Sequence, residues 1–538
     1  MKFIATISVD LDESPMGLRS RLGDEIAGRP VLRRTVERVL RADRIDSVHI
    51  LSPVSQSARV KALVDGLDVR LETHAEGKPG YAKLVRAGRV WGMDGWRGGI
   101  GTVCVFDEDM DVPLVDALVR RESADAAISI AAGGCLVDSA LIDAMIVHHE
   151  AHGGALTFVQ APPGLGVVIL GSGLLPELAS SGQPPGLLLA YRPDQPGADL
   201  TGKEACFRPP ASVVEAGGRL ICDSRRAFER VEALLADGAE TWNAERIARW
   251  LLERGANHVE AVPEEIEIEL TTDDPSDGGS LLHPRVSAGA GRGPISLDVV
   301  RSVIDSIDGY DDVRIVLGGF GEPCLHPRFA EICGMLRNSA VAAIAVRTDG
   351  TVGDPAVEDA LFETPIDAVE VTLDAVTAET YRLVHGSDRF DEVVARFDRW
   401  IDRRMSGSNV LPLLVPSFVK ASETLHELES FFDTWMRRLG MVLVTGYSHR
   451  AGQLERRAVA QTAPPRRSVC RRTLSRTVVL ADGGVTTCDQ DPAGQQVLGS
   501  ARESALLELW QSKSIGAIRS GEWSTMPLCP SCDEWHRP

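Results

Sequence analysis

Between residues 263 and 444 the chain switches repeatedly between short apolar runs and longer segments whose apolar residues recur three and four apart, an alternation that leaves few folds open. Residues 266–270, 313–317, 343–346, 368–373, 411–415 and 442–444 read as strands. Ser296 caps a helix whose stripe is Val299, Val300, Val303, Ile304 and Ile307, and Pro327 opens one bearing Phe329, Ile332 and Leu336. Residues 390–403 turn Val393, Val394, Phe397 and Ile401 inward, and another helix surrounds 425–435. Strand followed by helix, repeated, buries both faces of a parallel sheet, so the α/β middle of the chain is expected to curl into a partial (β/α) barrel.

Cysteine placement adds the second constraint. Cys104, Cys135, Cys206, Cys222, Cys324 and Cys333 are scattered and read as free thiols of a reducing compartment. Cys470, Cys488, Cys529 and Cys532 crowd the C-terminal tail. Residues 477–480 and 485–487 flank Asp482-Gly483-Gly484, a turn that pairs them as a hairpin and leaves Cys488 at a strand end. Cys529-Pro530-Ser531-Cys532 is a knuckle whose two thiolates converge, and Cys470 precedes the hairpin. An iron–sulfur cluster, a zinc ion, or four unrelated buried thiols remain open on these grounds.

This order of cysteines, hairpin and short helices resembles the SPASM domain, the auxiliary-cluster module of many radical S-adenosylmethionine (SAM) enzymes. The middle segment shares motifs with the same enzymes. Val316-Leu-Gly-Gly-Phe-Gly-Glu-Pro-Cys resembles their glycine-rich segment after the second strand, Arg347-Thr348-Asp349-Gly350 their T-N-G, and Val371-Thr-Leu-Asp374 their S-L-D. The resemblance implies that Gly319, Gly321, Glu322, Thr348 and Asp374 contact SAM, with Glu322 accepting from its ammonium group. The departure lies after the first strand. Where the family carries C-x3-C-x2-C, alignment on Glu269-Leu270-Thr271 places Asp274, Gly278 and Leu281, and none of these is cysteine.

The N-terminal part resembles sugar nucleotidyltransferases and glycosyltransferase-A enzymes. Gly28-Arg-Pro-Val-Leu32 stands where that class opens its first helix, and Asp107 and Asp109 follow an expected strand at 102–106. The resemblance implies a divalent cation, Mg²⁺ or Mn²⁺, on Asp107 and Asp109, and a nucleotide or nucleotide-sugar partner. The class's phosphate loop is reduced here to residues 14–22, with Gly17, Arg19 and Arg21.

Four divisions are therefore expected: a nucleotidyltransferase-like domain at 1–224, a helical linker at 225–262, a radical SAM-like partial barrel at 263–460 and a SPASM domain at 466–538. A formal charge of −20 argues against a sequence-independent nucleic-acid binder, and no apolar run long enough to cross a bilayer is present, which points to the cytoplasm. The combination resembles the spiro-SPASM proteins, in which loss of the radical SAM motif is a shared trait. It implies an iron–sulfur protein with one [4Fe–4S] cluster on a scaffold that does not cleave SAM and serves electron transfer, a small-molecule or protein partner, or assembly. Two other readings stay open: an active nucleotidyl or glycosyl transferase with a regulatory C-terminal half, and a zinc-stabilised binding protein.

Overall fold

Phe3–Ser8 (β1) is buried along nearly its whole length because strands pack on both of its edges and helices on its faces. The computed structural model describes every residue except 102, 256–259, 276–279, 284–290, 408–409 and 538. The chain divides into two compact units, Met1–Ala256 and Asn257–Pro538. In the first, Pro30 precedes the helix Val31–Val39, where its missing N–H costs no hydrogen bond, and Val31, Leu32, Val36 and Val39 are buried. Besides the short antiparallel pair Glu25–Ile26 and Arg29–Pro30, the further strands are Ser47–Pro53 (β2), Arg70–His74 (β3), Ala126–Ala131 (β4), Leu156–Val159 (β5), Val168–Gly171 (β6) and Cys206–Phe207 (β7). β1 to β7 form one sheet in the order β3-β2-β1-β4-β6-β5-β7, in which β6 runs antiparallel to both neighbours. The helices Arg225–Ala236 and Ala244–Gly255 place Val231, Leu234, Ile247 and Leu251 in the same core as Val36 and Ile50.

The second unit is built on Glu265–Glu269 (β8), whose sequence alternates glutamate and isoleucine. Period-two geometry sends Ile266 and Ile268 to one face, where they pack with Val299, Val303, Phe329 and Ile332 from flanking helices. Truncating either isoleucine to alanine costs ~2–5 kcal/mol in such a core. The glutamates face the other way, yet they too are buried. Arg314–Gly318 (β9), Ala343–Thr348 (β10), Ala368–Thr372 (β11), Leu413–Lys420 (β12) and Leu443–Gly446 (β13) continue the sheet, each parallel to its predecessor. This is the expected partial barrel.

The tail joins the same sheet. Arg476–Val479 (β14) lies parallel to β8 on its free edge, with Glu265 opposite Arg476 and Ile268 opposite Val479. Gly484–Thr486 (β15) and Val497–Ser500 (β16) then add antiparallel strands. The β14–β15 hairpin turns where the sequence placed it, and Gly483 adopts φ 91°, a conformation that favours glycine. No described helix is long and apolar enough to cross a membrane.

Candidate functional site

Glu265 and Glu267 of β8 line a cavity of about 560 Å³ on their side of the sheet, whereas Glu269 pairs with Arg292 at 2.7 Å. The cavity wall is charged. Arg347 of β10 bridges Glu267 and Glu370, each at 3.2 Å, and Glu265 lies 3.5 Å from Arg476. Burial disfavours the charged form of Glu265, but Arg476, Arg314 and Arg347 outweigh it and hold its pKa below the ordinary value. Glu267 is pushed up, by burial above all. The tail completes the wall: Arg472 reaches Asp489 at 2.5 Å and Glu534 at 3.2 Å, and Arg450 reaches Asp489 at 2.9 Å. These arginines escaped the motif-based reading. The signal was present at Arg347, which shares strand parity with Ala343 and Ala345 rather than with the core residues Ile344 and Val346.

Of the residues singled out for SAM, the structure gathers Gly319, Gly321, Glu322 and Thr348 on this cavity. Their local duties are specific. Gly319 has φ 94°, and a Cβ there would lie 2.6 Å from that of Glu269. A Cβ on Gly321 would stand 2.4 Å from the Thr271 carbonyl oxygen, so these glycines let the turn after β9 press against the chain leaving β8. Glu322 fastens that turn to the next one. Its Oε1 accepts from the Cys324 N–H at 3.0 Å and the Thr348 hydroxyl at 2.9 Å, and its Oε2 accepts from the Asp349 N–H at 2.9 Å. Burial, and then the charge of Asp349, push its pKa up to about 8. The carboxyl expected to meet an ammonium group is thus engaged by three donors of its own chain.

Asp374 stands apart from the other four. It is fully buried, with φ 55°, and its carboxylate meets His283 and His385. Neither histidine was singled out from the sequence. Asp274 and Leu281 carry no thiol, Gly278 lies outside the described residues, and the chain has no cysteine between Cys222 and Cys324. The segment between β8 and β9 therefore offers no thiolate at the three positions aligned with C-x3-C-x2-C.

In the tail, Cys470 and Cys529 pack with Ile518 and Trp535 in one small cluster. Cys470, Cys488 and Cys529 are buried and Cys532 is half-buried. The knuckle closes through the Cys532 N–H donating to the Cys529 carbonyl at 3.2 Å. Arg467 stacks on Trp523 and donates to the Cys529 carbonyl at 2.5 Å. Arg472 ties Asp489, next to Cys488, to Glu534, two residues past Cys532. Polar hydrogens already face the sulfurs, with the Glu534 N–H 3.4 Å from Cys532 Sγ and Gln496 Nε2 3.7 Å from Cys529 Sγ. No three of the four sulfurs lie within 4.8 Å of one another.

The expected strand before Asp107 and Asp109 is corrected. Val105–Asp107 forms a 3₁₀ turn instead of a strand, and Thr102 lies outside the described residues. The turn points Asp107 inward, where its oxygens accept from the Gly186 N–H at 2.5 Å and the Cys104 N–H at 2.6 Å. Burial raises its pKa to about 7. Burial, followed by the charges of Glu108 and Asp223, raises that of Asp109 as well. The charged acid between them, Glu108, is matched by Arg89 and Arg219. The degraded phosphate loop is closed too: the Gly17 N–H donates to the Ser14 carbonyl and the Leu18 N–H to the Ser14 hydroxyl.

Comparison with known proteins matches residues 286–428 to the Radical SAM superfamily and residues 470–533 to SPASM, an iron–sulfur cluster-binding domain. An uncharacterized protein of Treponema pallidum is 26% identical over 241 residues, covering 41% of this chain and 64% of that one. The GTP 3′,8-cyclase of Edwardsiella ictaluri is 28% identical over 150 residues, covering 27% and 42%. The chain thus spans less than two thirds of either relative. Among solved structures, Streptococcus suis SuiB bound to S-adenosylmethionine aligns at 14% identity and a TM-score of 0.40, covering 57% of this chain and 82% of that one. A cytidylyltransferase from Leptospira borgpetersenii aligns at 11% and 0.31, covering 47% and 94%.

Proposed function

Because the chain carries a Radical SAM superfamily domain and a SPASM iron–sulfur cluster-binding domain, we propose that it is a one-cluster protein that binds a small ligand in the barrel without cleaving SAM reductively. The carrying observation is the distribution of thiols: four cysteines gather in the tail, and none stands in the segment after β8. Cys470, Cys488, Cys529 and Cys532 hold one [4Fe–4S] cluster, which supplies electron storage when bound. The cavity takes SAM or a related molecule against Gly319, Gly321 and Thr348, and its 560 Å³ suits a ligand of that size. The protein works in the cytoplasm, where the remaining cysteines stay reduced.

Likeness to GTP 3′,8-cyclases favours a second reading, in which the arginine-lined cavity receives a nucleotide for catalysis. Anaerobic purification with iron, zinc and sulfide counts, followed by dithionite and SAM, tests the first. About four sulfides per chain and no 5′-deoxyadenosine above the level of the Cys529→Ala protein are expected. About eight sulfides, tail zinc without sulfide, or 5′-deoxyadenosine formation overturns it. Thermal shifts with GTP and with SAM distinguish the two ligands.

A further inference from the structure

Beside the cavity three side chains converge on one point, and the cluster in the tail uses none of them. Asp374 Oδ2 lies 2.6 Å from His283 Nε2 and 3.2 Å from His385 Nε2, and all three atoms fall within 4.8 Å of one another. Each comes from a separate element: His283 from the chain after β8, Asp374 from the end of β11, and His385 from the last turn of the helix Ala378–His385. The supports are as specific as the donors. Asp374 Oδ1 accepts from the Val419 N–H at 2.6 Å, which fixes the carboxylate from behind. The Tyr381 ring stacks on His385 at 4.3 Å, and the two imidazoles lie 5.7 Å apart at an interplanar angle of 19°.

Asp374 also holds φ 55°, a left-handed conformation that aspartate adopts more readily than most residues other than glycine. One imidazole is enough to pair a buried carboxylate. The second brings the same type of nitrogen to 3.2 Å from the same oxygen and 3.3 Å from the Leu373 carbonyl, so two imidazoles and a carboxylate offer donor atoms around one point. Asp374 and His385 are buried, whereas His283 is 22% exposed and lines the cavity.

We propose that His283, Asp374 and His385 form a mononuclear site for a divalent transition-metal ion, its remaining coordination positions open to the cavity. Two imidazole nitrogens and one carboxylate oxygen suit zinc or ferrous ion and disfavour Mg²⁺ and Ca²⁺, which take all-oxygen shells. Bonds of ~2.0–2.2 Å to such an ion replace the present hydrogen bonds after a small separation of the three groups. The open positions give the ion access to an oxygen of whatever the cavity holds. This site depends on neither the tail cluster nor SAM binding.

The test uses the full chain purified without oxygen. Metals are counted by mass spectrometry beside acid-labile sulfide, and Co²⁺ is titrated into the metal-depleted protein. One ion beyond the sulfide-matched iron is expected, and Co²⁺ should show the ligand-field absorption of a nitrogen–oxygen site. His283→Ala removes a partly exposed ring and should weaken Co²⁺ binding by more than about 100-fold, beyond what loss of an outer hydrogen-bond partner costs, with sulfide unchanged. His283→Gln, which keeps a hydrogen bond to Asp374 but is a poor ligand, should behave likewise and guards against misfolding of the alanine protein. Absence of both the additional ion and the cobalt spectrum in the parent overturns the proposal, as does parental Co²⁺ affinity in either folded variant. Missing sulfide with the His283-dependent ion retained would refute the tail cluster alone.

Discussion

Replacing Glu322 by alanine removes the fastener between the turn after β9 and the turn after β10. Its carboxyl receives three hydrogen bonds, from the Cys324 N–H, the Thr348 hydroxyl and the Asp349 N–H, and only 2% of the residue is exposed. A buried donor left without an acceptor costs ~1–3 kcal/mol. The Thr348 hydroxyl can rotate and water can enter from the cavity, which places the total at ~3–4 kcal/mol. In a unit of this size each kcal/mol moves the melting temperature by roughly 2–4 °C, so a fall of roughly 6–16 °C is expected by calorimetry. Hydrogen exchange should show lost protection at the Cys324 and Asp349 amides. Glu322→Gln retains one acceptor oxygen for two of the donors and turns an NH₂ toward the third, so it should lose about half as much. Titration adds a signature. Burial and Asp349 push the carboxyl up to about 8, whereas in the unfolded chain it titrates near ~4.5. The folded form therefore holds the proton more tightly, and this contribution to stability is complete below ~4.5 and lost as pH rises through about 8. The glutamine protein lacks that component. An alanine variant that loses less than ~1 kcal/mol, with both amides still protected, refutes the fastening argument.

Gly321→Ala should destabilise the C-terminal unit by ~2 kcal/mol or more, because its Cβ would meet backbone atoms of Thr271 and Thr272 at 2.4 and 2.7 Å. Wild-type urea midpoints in that variant would show that the turn has room. Asp107→Asn should lower the stability of the N-terminal unit by ~1–3 kcal/mol, since its NH₂ faces a backbone N–H. The wild-type Asp107 contribution should fade as pH rises through about 7, the value to which burial lifts it from ~3.9 unfolded. With Asp107 turned inward, Mg²⁺ or Mn²⁺ should leave its melting unchanged, and a metal-dependent rise of more than ~2 °C that disappears in Asp107→Asn would support the cation reading instead.

Local periodicity and local turn chemistry were legible without coordinates. The Glu-Ile alternation of β8, the helical stripes after β8 and β9 and the Asp482-Gly483-Gly484 hairpin follow from neighbours within a few residues, and the structure contains each of them. Motif likeness located the glycine-rich turn and the four tail cysteines for the same reason, as each motif is a short stretch with its own spacing. The strand at 102–106 failed because apolar content cannot reveal that a distant N–H, that of Gly186, awaits the Asp107 carboxyl.

What tertiary structure alone decided is where charge goes. A strand of alternating glutamate and isoleucine reads equally well as one with a solvent-facing side; only closure of the sheet, with β14 on its free edge, converts that side into the wall of a cavity. Arg347, Arg472 and Arg476 become its counter-charges through pairings between segments far apart in sequence. His283 and His385 meet Asp374 in the same way, from elements 91 and 11 residues distant. Residue type and period determine which face of an element is polar, but burial of that face depends on its neighbours, and a carboxylate is worth most as a fastener or ligand once folding has removed its water.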